Sequence, residues 1–421
     1  MTRVLITDNY NSYNLGDAAI LEGMRAALDA ELPGLELRLT SAFPEIAERV
    51  HGLPALQWTP RLLGSRGAVA GWLVRSLAWA LSWRLGQPLD RLLAPAELRL
   101  MRAYAEADLV LGVGGAYLRD GYGLSYLRLW QMRLATLMGK PVALYAQSVG
   151  PLAPRGRLAR WLRPTFARLD LVTLRDAVSA RILEAAGVRM RRCEVTADAA
   201  LCLPPVPPDP SRDWQPAGDG PLVGVSVIHW HKFDQGSFEA YVEALAEALD
   251  QLHERRGVRL NFLSTTVAPS DAQMDVSGTR RDDLSVAREV AARLRRCPPE
   301  SVRVSQEPID LATLRGRIAA HDLWIGTRMH SCIFATLAGV PTLPIAYEPK
   351  VRGYFELLGL EDWVLDIETL EAAALRDGAE RALDAAARLR AHMADRLPAL
   401  RQRSRRNAVL VGELLRPGAA R

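Results

Sequence analysis

A chain of 421 residues with 49% hydrophobic and 24% charged positions has the composition of a folded globular protein and exceeds what one core usually serves, so two domains are expected. The formal net charge of +5 is modest for this size and gives no reason to expect a nucleic-acid partner. No run of about 18 uncharged apolar residues occurs, which excludes a spanning helix, and "MTRVLITDNYNSYNLGD" at the N-terminus has no signal-peptide core, so cytoplasmic residence is expected.

The four cysteines, Cys193, Cys202, Cys297 and Cys332, are far apart with no C-x-x-C pair. That argues against a zinc site or a disulfide framework. Lysine stands only at Lys140, Lys232 and Lys350 among 53 basic residues, so a lysine draws more notice here than an arginine.

In chain order, "RVLITD" (3–8) reads as a strand and "AAILEGMRAALDAEL" (18–32) as a helix. Between them Gly16 permits a tight turn and Asp17 stands where a helix cap belongs. Asn14 and Asp17 either serve that turn or hydrogen-bond ligand hydroxyls. The segment 58–90 holds four of the ten tryptophans, with Arg61, Arg66, Arg75, Arg84 and a single acid, Asp90. Trp72, Trp79 and Trp83 share one helical face. A buried helical insertion or oligomer contact is one reading; a helix resting on an anionic membrane is the other.

"ADLVLGVGG" (107–115), "PVALYAQSVG" (141–150) and "LDLVTLRD" (169–176) are further strands that end in polar or glycine-rich turns. Gly114 and Gly115 allow close backbone approach without a dinucleotide-binding fingerprint, and Gln147 marks the end of the next strand. Asp176 suits a cap. Arg175 does not, and is expected to face a ligand or to pair with Asp198 of "TADAAL".

"PPVPPDPSRDWQPAGDG" (204–220) breaks all periodicity and reads as a linker. The expected organisation is an N-terminal domain over 1–205, carrying the 58–90 insertion, a linker over 206–220 and a C-terminal domain over 221–421 that ends in helices. The second half repeats the alternation with "LVGVSVI" (222–228), "VRLNFLST" (258–265), "VRVSQ" (302–306), "HDLWIG" (321–326) and "PTLPIAY" (341–347). The fold class is therefore α/β, with two doubly wound Rossmann-like domains facing a cleft at the C-terminal ends of their strands. His229 and His231 in "VSVIHWHK" lack a third ligand nearby, so a solvated strand end is expected there and no metal.

"GTRMHSCIFATLAGVP" (326–341) carries the sharpest signal. A short strand turns at Thr327 into a helix whose first turn holds Arg328, Met329 and His330. Helix N-termini attract anions, so cations there make sense around a bound phosphate or carboxylate. Lys350 follows the next strand at the same edge and would complete the cradle.

"NLGDAAI", "GVGGAYL", "AQSVGPL", "LRDAVSARIL", "TADAAL" and "GTRMHSCIFATLAGVPTLPIAYEPKV" occur, in this order, as in the polysaccharide pyruvyl transferase family, which the chain resembles over about residues 4 to 355. The resemblance implies a glycosyltransferase-B-like fold and phosphoenolpyruvate as donor substrate, with no other cofactor. It also implies a pyruvate ketal built on two hydroxyls of a sugar in a glycan or lipid-linked acceptor. Arg175, Arg328, Met329, His330 and Lys350 would form the donor site; Asn14, Gly16, Asp17, Gly114, Gly115 and Gln147 the acceptor side.

In that chemistry His330 would protonate C3 of the enol as a hydroxyl attacks C2, since histidine as a residue type titrates near neutral pH. Arg328 and Arg175 would clamp the two anionic groups, and Lys350 would assist the departing phosphate. A nucleotide-sugar glycosyltransferase of the same fold is the first alternative, although the helix after Thr327 has no acid to hold a ribose. A non-catalytic anion-binding component of polysaccharide assembly is the second. Peripheral membrane contact through 58–90 is expected if the acceptor is lipid-linked.

Overall fold

The structure, a computed structural model, describes residues 1–9, 12–58, 65–230, 232–265, 282–305 and 309–416. It divides into two compact units. The first comprises Met1–Ser12, Asp17–Leu203 and the chain from Arg401 onward; the second comprises Tyr13–Gly16 and Pro204–Leu400. The division differs from the expected 1–205 and 221–421 in three places, the first being Tyr13–Gly16, which belongs to the second unit. The proline-rich stretch belongs to the second unit, and the last helix, Ala386–Leu415, begins in the second unit and ends in the first.

In the first unit the strands are β1 (Arg3–Asn9), β2 (Glu36–Ser41), β3 (Ala55–Gln57), β4 (Leu109–Gly112), β5 (Gly115–Leu118), β6 (Val142–Val149), β7 (Leu171–Leu174) and β8 (Cys193–Val195). They form one parallel sheet in the order β3-β2-β1-β4-β6-β7-β8, with β5 beside β6. Central strands such as "LVLG" are apolar throughout because helices cover both faces. Val4 and Ile6 meet Ile20, Met24 and Leu28 of the helix Leu15–Glu31, together with Leu410 and Val411 of the last helix. Leu5, pointing the other way, joins Leu129, Leu158, Trp72 and Trp79.

In the second unit the strands are β9 (Leu222–Ser226), β10 (Arg259–Phe262), β11 (Val302–Val304), β12 (Leu323–Gly326), β13 (Thr342–Ala346) and β14 (Leu365–Asp366). They too are all parallel, in the order β11-β10-β9-β12-β13-β14. Both sheets are thus doubly wound, reversing direction between β1 and β4 and between β9 and β12. Ligands of such sheets bind beyond the carboxyl ends of the strands at the reversal. The residues so placed follow Thr7 on β1 and Ile325 on β12.

The 58–90 segment forms the helix Arg66–Arg84, capped by Ser65, whose side chain accepts the Ala68 N–H at 3.2 Å. Trp72 and Trp79 are fully buried. Trp79 stacks on Trp83 with ring centroids 5.5 Å apart and donates from Nε1 to Asp90 at 3.0 Å. Trp72 and Trp79 thus pack into the core, where their area stabilises most, as the reading of a buried helical insertion expects. Arg61 lies outside the described residues.

Candidate functional site

At the reversal of the second sheet, Arg328 is the N-cap of the helix Met329–Leu337. Its own N–H donates to Ser226 Oγ at 3.4 Å, and Ser226 Oγ lies 2.7 Å from Ser331 Oγ, which also accepts from Trp324 Nε1 at 3.1 Å. Tyr241 OH meets Thr327 Oγ1 at 3.1 Å. This lattice of short hydroxyl contacts fixes the turn after β12 from both neighbouring elements. The Arg328 guanidinium then forms a two-point pair with Asp283, Nε to Oδ2 at 2.9 Å and Nη2 to Oδ1 at 2.5 Å. Burial opposes the charge on Arg328, but Asp283 outweighs it and raises the pKa. The pair uses two of five guanidinium N–H groups.

His330 follows in the first helical turn. A Cβ placed on Gly16 would stand 2.5 Å from His330 Nδ1 and 3.1 Å from Asn14 Oδ1. Gly16 is therefore glycine because an imidazole occupies the space. Asn14 Oδ1 accepts the Gly16 N–H at 3.0 Å, and Leu15 N–H donates to Thr265 O at 2.9 Å, so Tyr13–Gly16 is pinned into the second unit. Met329 is buried and contributes packing.

Lys350 lies one strand over, at the start of the helix Pro349–Leu358. Its Nζ is 2.7 Å from Glu348 Oε2 and 5.0 Å from the Tyr347 ring centroid. Burial lowers its pKa, while Tyr347 and Glu348 raise it; the net shift is upward, so the amine stays charged. β12 and β13 are adjacent, so the helices that follow them start side by side and offer two sets of unpaired N–H groups. Two positive helix ends with Arg328, His330 and Lys350 suit a ligand bearing more than one anionic group.

The first unit holds a second cluster at its own reversal, and the sequence reading missed it. Asp8 is buried, at the end of β1, with φ 71°, a left-handed conformation that costs a non-glycine residue about 1–3 kcal/mol. Arg128 is buried as well, its Nε 3.6 Å from Asp8 Oδ1 and its guanidinium 3.8 Å from the Tyr117 ring centroid. Among the described residues neither Asp8 Oδ1 nor Arg128 Nε makes a hydrogen bond. Burial raises the Asp8 pKa against the lowering effects of Arg128 and Thr7. The available signal was a lone arginine inside the apolar run "YLRLWQM". Asp283 was missed because its only mark is a capping pattern, "DDLS".

Asp17 lies in the first helical turn rather than at the cap, and bonds the Tyr117 hydroxyl; burial and this carboxylate hold that phenol well above its ordinary range. Gly114 packs where a Cβ would meet Tyr145 O at 2.9 Å, and Gly115 has φ 143°. Gln147, buried, donates to Gly115 O. Gly114, Gly115 and Gln147 thus hold the β4–β6 joint together.

Arg175, 3% exposed, donates from Nη1 to Asp198 Oδ2 at 2.6 Å and from Nε to Ser148 Oγ at 2.6 Å. Of its two expected partners it is engaged by the acid, which a fully buried guanidinium requires. Asp176 is the cap of Ala177–Ala185 and accepts from Ser179 N–H at 2.7 Å. His229 packs against Phe238 with centroids 5.0 Å apart, whereas His231 lies outside the described residues. Among the described residues no group of three or more His, Cys, Asp or Glu could hold a metal ion.

Comparison with known proteins gives the fold and the family. The chain is 26% identical over 384 residues to the amylovoran biosynthesis protein AmsJ of Erwinia amylovora, covering 87% of this chain and 89% of that one. It is similar in fold to a putative UDP-N-acetylglucosamine 2-epimerase from Listeria monocytogenes (TM-score 0.60, 14% identity, 94% of this chain and 91% of that chain). It is also similar to Anabaena Alr3699/HepE in complex with UDP (TM-score 0.57, 14% identity, 99% of each chain). These likenesses establish the glycosyltransferase-B-like fold. The model of one family matches residues 14–349, most of the chain, and on that match the protein belongs to the polysaccharide pyruvyl transferase family.

Proposed function

We propose that this transferase moves the pyruvate unit of phosphoenolpyruvate onto two hydroxyls of a sugar in a polysaccharide or its lipid-linked precursor, forming a ketal and releasing phosphate. The observation that carries the reading is the joint pair after β12 and β13 within a chain of this family: two helix N-termini with Arg328, His330 and Lys350. Phosphoenolpyruvate has a phosphate and a carboxylate, and charge-assisted bonds from several cations hold such a ligand best. Arg328, oriented by Asp283, clamps one anionic group. Lys350 neutralises the other and the phosphate as it leaves.

In the first step a sugar oxygen bonds to C2 of the enol while His330 delivers a proton to C3, making a methyl group. The attacking hydroxyl gives up its proton to a base. In the second step the C2–phosphate bond breaks, phosphate carries off the electron pair, and the second hydroxyl closes the ketal with loss of its proton. Arg175 is left out of the clamp, since Asp198 and Ser148 hold it; it positions the β6–β7 joint.

The test is incubation of purified protein with phosphoenolpyruvate and candidate glycans, following phosphate release and the mass of the product. The expected product mass corresponds to acceptor plus phosphoenolpyruvate minus phosphoric acid. Turnover with a UDP-sugar and none with phosphoenolpyruvate would replace this reading by a glycosyltransferase. His330→Ala is expected to retain phosphoenolpyruvate binding and to lose about 10²–10⁴ in kcat.

A further inference from the structure

Among the described residues seven large hydrophobic side chains are exposed, and five of them fall in one short stretch: Val74, Leu77, Leu81, Leu85 and Leu89. The helix Arg66–Arg84 with its C-cap Leu85 explains the clustering. At 3.6 residues per turn, positions 74, 77, 81 and 85 fall within about 80° of arc, directly opposite Trp72, Trp79 and Trp83. The tryptophan face already supplies the packing that holds this helix to its unit. The outer stripe adds nothing to that core, yet Val74 is 70% and Leu85 80% exposed.

Within the stretch itself the charge has one sign. No acid occurs between Ser65 and Leu89, while Arg84 and Arg91 are exposed at its end. The nearest acids are engaged: Asp90 with Arg102 at 2.5 Å and Glu97 with Arg75 at 2.5 Å. On the same face of the sheet lies a hollow of about 390 Å³ lined by Arg133, Arg157, Arg160, Trp161 and Pro164, with no acid in its lining. The helix Leu124–Leu137 joins the two features. Trp130 Nε1 donates to Ser76 Oγ at 3.2 Å on one side, and Arg133 Nε to Thr165 Oγ1 at 2.7 Å on the other.

We infer that this face docks on an anionic lipid bilayer, with Val74, Leu77, Leu81 and Leu85 entering the headgroup boundary and the arginine hollow taking lipid phosphates. Aliphatic side chains gain by leaving water, and guanidinium groups pair with phosphate in two-point geometry. A second copy of the chain is the poorer occupant, because its Ser65–Leu89 segment brings no carboxylate to meet Arg84 and Arg91. The inference is independent of the donor assignment. No helix among the described residues is long and apolar enough to cross a membrane, so the contact is peripheral.

The test uses the purified full-length chain and co-sedimentation with vesicles of phosphatidylcholine, with and without phosphatidylglycerol. The unmodified chain is expected to pellet at least about tenfold better with phosphatidylglycerol and to be released by salt. Leu77→Ser, Leu81→Ser and Leu85→Ser combined are expected to abolish pelleting with an unchanged thermal transition, since all three are exposed. Arg157→Ser with Arg160→Ser is expected to remove the phosphatidylglycerol preference. Failure of the unmodified chain to pellet, or equal pelleting of the triple variant, overturns the proposal. A dimer in light scattering that the triple variant dissociates, without vesicle binding, assigns the stripe to a second copy instead.

Discussion

Arg328 and Asp283 are joined by two hydrogen bonds of 2.9 and 2.5 Å, so the arginine at the end of β12 is held in a fixed direction before any ligand arrives. Asp283 is buried while the Arg328 side chain is partly exposed, the arrangement expected of an orienter and its presented group. Asp283→Ala is expected to raise KM for phosphoenolpyruvate about tenfold, equivalent to about 1.4 kcal/mol, with a smaller change in kcat. Steady-state kinetics at saturating acceptor checks the split.

Gly16→Ala tests the placement of His330. The new methyl would stand 2.5 Å from Nδ1, so the imidazole must move, and a displacement of about 1 Å at a proton donor costs on the order of 10²-fold in turnover. Phosphoenolpyruvate binding by calorimetry is expected to survive. Unchanged kcat would remove His330 from the acid role.

Arg175→Ala removes one partner of a buried ion pair and leaves Asp198 uncompensated. A loss of about 3–5 kcal/mol in unfolding free energy is expected, measured by denaturant titration. A stable Arg175→Ala variant with weakened phosphoenolpyruvate binding would instead return Arg175 to the donor site.

His321 governs the acid stability of the second unit. Burial pushes its imidazole down to about 4, and its Nδ1–H donates to Arg317 O at 2.8 Å. The unfolded chain binds a proton near pH 6.5 that the folded chain refuses until about pH 4. Stability is therefore complete above 6.5 and falls as pH drops towards 4, by about 3 kcal/mol at most. Unfolding midpoints between pH 4 and 7 should show this slope, and His321→Gln should flatten it.

Legibility followed the strength of local patterns. Strands β4, β6, β7, β9, β10, β12 and β13 stand within runs read from the sequence, because strands covered on both faces are largely apolar, and β1 and the edge strand β11 coincide with two further such runs. β2 alternates as "ELRLTS", and β3, β8 and β14 are two or three residues long; pairing with a neighbour, not composition, makes such pieces strands. β5 follows β4 after Val113 and Gly114 and is defined by its pairing with β6.

Local sequence determined that Arg328 and His330 begin a helix at a strand end, and that Lys350 begins the next, since a strand, a turn and a glycine stop can be read within twenty residues. It also determined that the chain is doubly wound twice over. Only the tertiary structure decided which charges meet. Asp283 reaches Arg328 across 45 residues, Arg128 reaches Asp8 across 120, and Arg175 is taken by Asp198. It also turned the tryptophans of the 66–84 helix inward and the leucines outward. A helix with two apolar faces carries no local instruction about which one to bury. The larger aromatic area, packed against the sheet, settles it.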